Sequence, residues 1–294
     1  MSEQLEQVYR EFLAMKPELV NDFEAALAPG APKTPAPAPE EVRRRYDIEE
    51  RQVAGFGVQI LHPRQGGSGI QAVYFHGGAY TLPFLELHWP IVVGLADRTG
   101  ADLWIPHYTP SPDATVDDAL PFIDALALTV PEAAGDHRYI VSGESAGGNM
   151  ALVQTLRARD NGTRLPDHLV IHAPWVDLRT CDPKSLEMED IDALMIVDQL
   201  HRAARNWSGA REITDPMVSP LFADLSGLPP ITVLQGTNDL LLPDVLTFVD
   251  RAREQGAEVE LELVEGAFHV YIGVDTPESQ RSLDLAAERF RGSA

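Results

Sequence analysis

The pentapeptide Gly143-Glu144-Ser145-Ala146-Gly147 is the most chemically suggestive segment of the chain. It follows the strand-like run RYIVS and precedes the helix-like GNMALVQTLRARD. A G-x-S-x-G pattern in that context puts serine on a sharp strand-to-helix turn, with glycines where side chains would collide with neighbouring backbone. The serine Oγ then stands exposed above the strand end. A hydroxyl is too weakly acidic to attack a carbonyl unaided, so an imidazole must take its proton and a carboxylate must orient that imidazole. Of nine histidines, His269 in EGAFHVY lies just after an expected strand, Val259 to Val264. Asp239 in QGTNDLLLPD lies just past another, Ile231 to Gln235. Groups at the carboxyl ends of strands are where open α/β sheets gather their ligands. Glu262 and Glu265 compete with Asp239 as the acid, and Asp244 is close in sequence but resembles a capping residue at the start of the next helix.

A third segment, His76-Gly77-Gly78-Ala79-Tyr80, directly follows the strand-like IQAVYF. Attack on an ester makes a negative oxygen, and each amide N–H aimed at it is worth about 2.7–4 kcal/mol. Gly77 and Gly78 are the expected donors from this loop. Ala146, at the start of its helix where amides are unpaired and the dipole is positive, is the third. His76 is read as a side chain that holds the loop rather than as a base. The chain order Ser145, Asp239, His269 is that of the α/β-hydrolases.

These groups need a scaffold, and the patterning beyond residue 50 alternates short β-rich runs with longer helical ones, the signal of an α/β sheet with crossover helices. Strands are expected at Val53–Leu61, Ile70–Phe75, Ala101–Ile105, Tyr139–Ser142, His168–Ala173, Ile231–Gln235 and Val259–Val264. Helices are expected at His88–Arg98, Thr115–Val130, Ala146–Arg159, Pro243–Gln255 and Glu278–Arg291. An additional helical insertion falls within Cys181–Arg211, where Leu194, Val197, Leu200 and Ala204 recur at helical spacing. Leu5, Val8, Phe12 and Leu13, then Leu19, Phe23 and Leu27, predict two short amphipathic helices before residue 30. The segment Ala28 to Glu40, with five prolines, is an extended linker.

Composition narrows the function. The 294 residues carry 23 Lys plus Arg against 45 Asp plus Glu, a formal charge of −22 that repels nucleic acid and anionic bilayers. With 44% apolar residues there is material for a large core. The single cysteine, Cys181, supports neither an internal disulfide nor a cysteine zinc site. The N-terminus MSEQLEQVYREFLAMKPEL lacks the apolar core of an export signal, and the longest nearly apolar stretch, Ala119 to Val130, is far short of a membrane span. A cytoplasmic protein without a membrane anchor is expected. His168 and His172 face the same side of one strand, but no further ligand joins them, so neither a metal nor a cofactor is expected. Arg43, Arg44 and Arg45 read as a solvated face pairing with Asp47 and Glu49. Substrate-pocket residues are expected at Tyr80 and Phe84, in the loop after HGG, and at Met195 and Trp207 in the insertion.

With HGGAY, GESAGGN, DPMVSPLFADLSGLPP, GTNDLLLPD and FHVY in this order, the chain resembles the α/β-hydrolase superfamily, specifically its hormone-sensitive-lipase-like esterases, over roughly residues 70 to 275. That resemblance implies an α/β-hydrolase fold, a mostly parallel twisted sheet flanked by helices. It implies acylation of Ser145, an oxyanion loop from His76 to Ala79, and small to medium acyl esters as substrates. It also implies that the N-terminal segment 1–45 and the insertion 178–214 pack as a helical cap over a catalytic core of 46–177 and 215–294. Homodimerisation occurs among relatives, and no stretch here identifies an interface. The chain departs from the family at Glu144, where Asp is commoner before the serine, and at Ala79, the third position of the glycine loop. It departs again at His107-Tyr108-Thr109-Pro110-Ser111-Pro112, where relatives carry Tyr-Arg-Leu-Ala-Pro-Glu. The same nucleophile would serve an amidase, peptidase or acyltransferase, and the fold alone would also suit a small-molecule receptor.

Overall fold

The computed structural model describes residues 1–292; the last two residues of the expected core, 293 and 294, lie outside it. One eight-stranded sheet organises the chain: β1 (Tyr46–Val53), β2 (Phe56–Pro63), β3 (Gln71–Phe75), β4 (Asp102–His107), β5 (Tyr139–Glu144), β6 (His168–His172), β7 (Ile231–Asn238) and β8 (Val259–Phe268). The spatial order is β1-β2-β4-β3-β5-β6-β7-β8. Only β2 runs against its neighbours. All pairings from β4 onward are parallel. The expected strand Val53 to Leu61 is instead a hairpin whose turn is Ala54-Gly55. Both turn residues have positive φ, 48° and 86°, the requirement of the two-residue turn that matches strand twist. Alanine in that position gives no turn signal, so the sequence pattern reads as one strand where the fold has two.

Alternation along the central strands divides the core between the two faces. Val73, Phe75, Val141, Ile171 and Val233 point into one apolar cluster with α4 (Val116–Ala134), α5 (Ala146–Asp160) and α8 (Leu242–Glu254). Ala72, Tyr74, Ile140, Val170 and Leu234 point into the other, with α3 (Trp89–Thr99) and α9 (Pro277–Arg291). Strands buried on both faces read as continuous apolar runs, as QAVYF, RYIVS and HLVIH do. The chain leaves β3 towards β4 and then crosses to β5 on the opposite side, so the carboxyl ends of β3 and β5 flank the point where the winding direction reverses.

The N-terminus forms one helix, α1 (Glu3–Ala26), continuous through Pro17, rather than two. Proline costs a hydrogen bond in a helix interior, and contacts to the segment after β6 hold α1 in place. Tyr9 Oη donates to Ile191 O at 2.6 Å, Lys16 Nζ to Glu189 O and Asp192 O at 2.6 and 2.7 Å, and Gln199 Nε2 to Val20 O at 2.8 Å. The Cys181–Arg211 insertion contains α6 (Pro183–Met188) and α7 (Val197–Ser208). The proline-rich linker leads to a six-residue helix, α2 (Glu40–Arg45). Among the described residues no helix is long and apolar enough to cross a membrane.

The tightest backbone approach in the fold joins α5 to β3. A Cβ at Gly147 would lie 2.1 Å from Phe75 O and 2.6 Å from His76 O. Gly147→Ala must therefore push α5 off the sheet, at a cost of about 1–3 kcal/mol or more. Calorimetry should show a clearly lowered Tm for it, whereas Gly67→Ala, which meets no atom within 4 Å, should leave Tm unchanged. Equal Tm values would contradict this account of the close approach.

Candidate active site

Ser145 sits between the last residue of β5 and the first of α5, with φ 55° and ψ −122°. That strained backbone is held from several sides. Ser145 N–H donates to His172 O at 2.9 Å, and Ser145 O accepts from Trp175 N–H at 3.0 Å and Asn149 N–H at 3.1 Å. A Cβ at Gly143 would lie 2.4 Å from Gly147 O, so both glycines of the pentapeptide are dictated by contact with backbone.

Asp239 and His269 are each the first residue after a strand, β7 and β8. The β7–β8 register jumps from Gly236 opposite Val264 to Asn238 opposite Phe268, two residues on β7 matching four on β8. This irregularity, with Gly266 at φ 73°, brings the two strand ends level. As a result His269 Nδ1 donates to Asp239 Oδ2 at 2.8 Å, and His269 Nε2 meets Ser145 Oγ at 2.9 Å. Asp239 Oδ1 accepts from Leu241 N–H at 2.9 Å. All three side chains are buried. Burial opposes a charge on His269, but Asp239, then Asp192 and Glu144, outweigh it and hold the ring above the ordinary imidazole value. The rival acids Glu262 and Glu265 are not hydrogen-bonded to this ring, and Asp244 lies in the first turn of α8.

The glycine loop differs in one respect from expectation. Gly77 N–H is not free for an oxyanion, because it donates to the carboxylate of Glu144. The N–H groups of Gly78 and Ala79 find no protein acceptor among the described residues. Ala146, first in α5, has no intrahelical partner either. The open donors are thus Gly78, Ala79 and Ala146, with Ala79 in the place assigned to Gly77. Positive φ at Gly78, Ala79 and Tyr80 (102°, 49° and 56°) turns the loop back on itself. His76 is buried and held neutral, first by desolvation and then by its neighbour His88. Its Nδ1–H donates to Gly77 O at 2.7 Å, consistent with a loop-holding side chain. Tyr108, in a segment whose role the sequence did not disclose, stacks on the His76 ring at 4.5 Å and donates to His76 O at 3.0 Å.

Glu144 is the unusual member of the pentapeptide. Besides Gly77 N–H, its Oε1 is 3.4 Å from Tyr74 Oη and 3.5 Å from His88 Nε2. Desolvation pushes its carboxyl up to about 8, against the opposing effects of the Gly77 N–H, His269 and Tyr74.

A cavity of about 370 Å³ opens beside Ser145. Its walls come from α1 (Leu19, Phe23), the insertion (Leu194, Met195, Leu200) and the loop after β3 (Leu82, Leu85, Leu87), with Trp175 and Ala79 near the serine. Of the expected pocket residues only Met195 lines it. Tyr80 and Trp207 stack on each other at 4.1 Å behind the wall, and Phe84 is packed against His88 and Trp89 at 5.0 Å from each. Large flat rings at these positions gain more from packing on one another than from facing an open cleft. Among the described residues no group of three or more His, Cys, Asp or Glu could hold a metal ion.

Residues 72–273 match a family described as the α/β-hydrolase fold. The chain belongs to that family. This α/β-hydrolase is 29% identical over 247 residues to an esterase of Acinetobacter venetianus, covering 82% of this chain and 81% of that one. It is 29% identical over 234 residues to an acetyl-hydrolase of Streptomyces hygroscopicus, covering 78% and 77% of the two chains. Its fold is also that of a hormone-sensitive lipase from a metagenome library, with TM-score 0.83, 24% identity, and coverage of 100% and 98%.

The Glu144 carboxyl is the polar anchor of the glycine loop in this α/β-hydrolase. Glu144→Ala leaves the buried Gly77 N–H unpaired, a loss of about 1–3 kcal/mol, and should lower both Tm and the rate at Ser145. Glu144→Gln keeps an acceptor and should retain most of both. Because burial raises this carboxyl from 4.5 to about 8, wild-type stability from this group is full below 4.5 and is lost as pH rises through 8. The Gln variant should lack that contribution to the pH dependence of unfolding. An Ala variant with unchanged Tm and rate would contradict the anchoring role.

Proposed function

We propose that the chain is a serine carboxylesterase that hydrolyses small to medium acyl esters through an acyl-enzyme. The observation that carries this reading is the placement of His269 between Ser145 Oγ and Asp239, 2.9 and 2.8 Å away, at the wall of an apolar cavity. Esterase and acetyl-hydrolase relatives support ester hydrolysis.

In this mechanism His269 Nε2 takes the Ser145 proton as Oγ attacks the acyl carbon. Asp239 fixes the ring tautomer through Nδ1 and stabilises the imidazolium. The oxygen that becomes negative is held by the amides of Gly78, Ala79 and Ala146. His269 returns the proton to the departing alcohol, and water repeats the sequence to release the acid. The reaction needs no cofactor. A cavity of about 370 Å³ is at the small end of ligand sites, which favours short or medium acyl chains. The Ala79 methyl narrows it next to the serine, and the net charge of −22 disfavours anionic substrates.

Intact mass after treatment with an organophosphonate should show one adduct, absent from Ser145→Ala. Matched ester, anilide and peptide substrates should then be turned over in that order, with the anilide and peptide at least about 100-fold slower. A faster anilide or peptide makes the protein an amidase or peptidase. Aminolysis outrunning hydrolysis makes it an acyltransferase. A folded, unlabelled sample points to a binding protein.

A further inference from the structure

Asp192 lies in the insertion, on the segment between α6 and α7, and is completely buried. Its Oδ1 accepts from the N–H groups of Leu194 and Met195, both at 2.8 Å, and so shapes the turn that carries two cavity-lining residues. Its Oδ2 accepts from Leu240 N–H at 2.9 Å. Leu240 is the residue after Asp239, and the next amide, Leu241 N–H, donates to Asp239 itself. Two buried carboxylates, one from the insertion and one from the sheet edge, therefore divide the amides of a single loop between them. Burying a second carboxylate beside the first is costly unless each is hydrogen-bonded, and Asp192 uses both oxygens to meet that requirement.

The insertion is in turn held by α1, through Lys16 on the carbonyls of Glu189 and Asp192 and Tyr9 on that of Ile191. The charged and titratable groups around Asp192 are Asp239 after β7, His269 after β8, and Tyr9 and Lys16 on α1. Asp239 repels the Asp192 charge, whereas His269 attracts it.

We propose that Asp192 is a positioning residue for the reaction at Ser145: it locks the Asp239 loop through Leu240 N–H and places a second negative charge beside the His269–Asp239 pair, so the seating of the insertion on the core sets the basicity of the catalytic imidazole. This inference rests on the Ser145–His269–Asp239 reading above. Its consequence is that substrate-pocket wall and proton acceptor are adjusted together, since the same carboxylate shapes the Leu194–Met195 turn and holds the loop that carries Asp239.

His269 must be neutral to accept the serine proton, and a nearby negative charge stabilises its protonated form, so Asp192 raises the pH at which activity falls on the acid side. For Asp192→Asn, the acid limb of kcat/KM for a neutral ester should move to lower pH by roughly 0.5–1 unit, with kcat reduced about 10-fold and KM little changed. Asp192→Glu keeps the charge, and its acid limb should stay with wild type. An Asn limb superimposed on wild type, or Asn and Glu limbs that move together, overturns the proposal while leaving phosphonate labelling of Ser145 intact. Loss of labelling in wild type would instead overturn the underlying reading. Should the Asn variant fail to fold, the His269 Nδ1 proton resonance in the intact enzyme decides. Burial and Asp239 raise the Asp192 carboxyl to about 6, so that resonance should show a second inflection beside the ring's own, and a single inflection overturns the proposal.

Discussion

The site depends on one steric constraint, the near-contact of the α5 backbone with the end of β3. Glycine at 147 lets α5 lie where any side chain would strike Phe75 O or His76 O. That contact sets the separation between the serine turn and the glycine loop, because the two segments leave neighbouring parallel strands, with Phe75 paired to Gly143. The Ser145 turn and the unpaired loop amides are thereby fixed by sheet spacing and backbone packing rather than by flexible side chains. The same economy governs the other half of the site, where a register irregularity between β7 and β8 makes Asp239 and His269 adjacent. Four sequence-distant groups meet because each is the first residue or loop beyond one of the parallel strands of a single sheet.

The groups that read directly from sequence are those whose residue type is forced by local geometry. The pentapeptide around Ser145 is legible because its glycines answer backbone collisions. Asp239 is legible because it follows the apolar run of a buried strand, and His269 because it follows VELELV, whose alternation marks a half-exposed edge strand. The α/β class follows from the same runs, since QAVYF, RYIVS and HLVIH supply apolar residues to both faces. The hairpin at Ala54-Gly55 was not legible because its turn uses alanine at positive φ, and the single helix through Pro17 was not because tertiary bonds to the insertion offset the proline.

What sequence could not assign were functions decided by partners far away in the chain. The Gly77 amide is not open, and that of Ala79 is, because the carboxyl of Glu144, 67 residues on, takes the Gly77 N–H. Nothing in HGGA by itself reveals that. Tyr80, Phe84 and Trp207 are near the cavity in sequence logic but turn inward to stack with other rings. Tyr108 and Asp192 carry no motif, and each matters through main-chain groups it contacts. Acidic side chains buried in the site, Glu144, Asp192 and Asp239, also show how a strongly acidic chain uses carboxyl groups as acceptors for loop amides.

In the proposed reaction the oxyanion is held by Gly78, Ala79 and Ala146 while Gly77 is committed to Glu144. A crystal structure of the Ser145 organophosphonate adduct tests this most directly. The account predicts the phosphonyl oxygen about 2.7–3.1 Å from the amide nitrogens of Gly78, Ala79 and Ala146, with Gly77 N–H still on the Glu144 carboxylate. A phosphonyl oxygen bonded to Gly77 N–H, with Glu144 displaced, would contradict it.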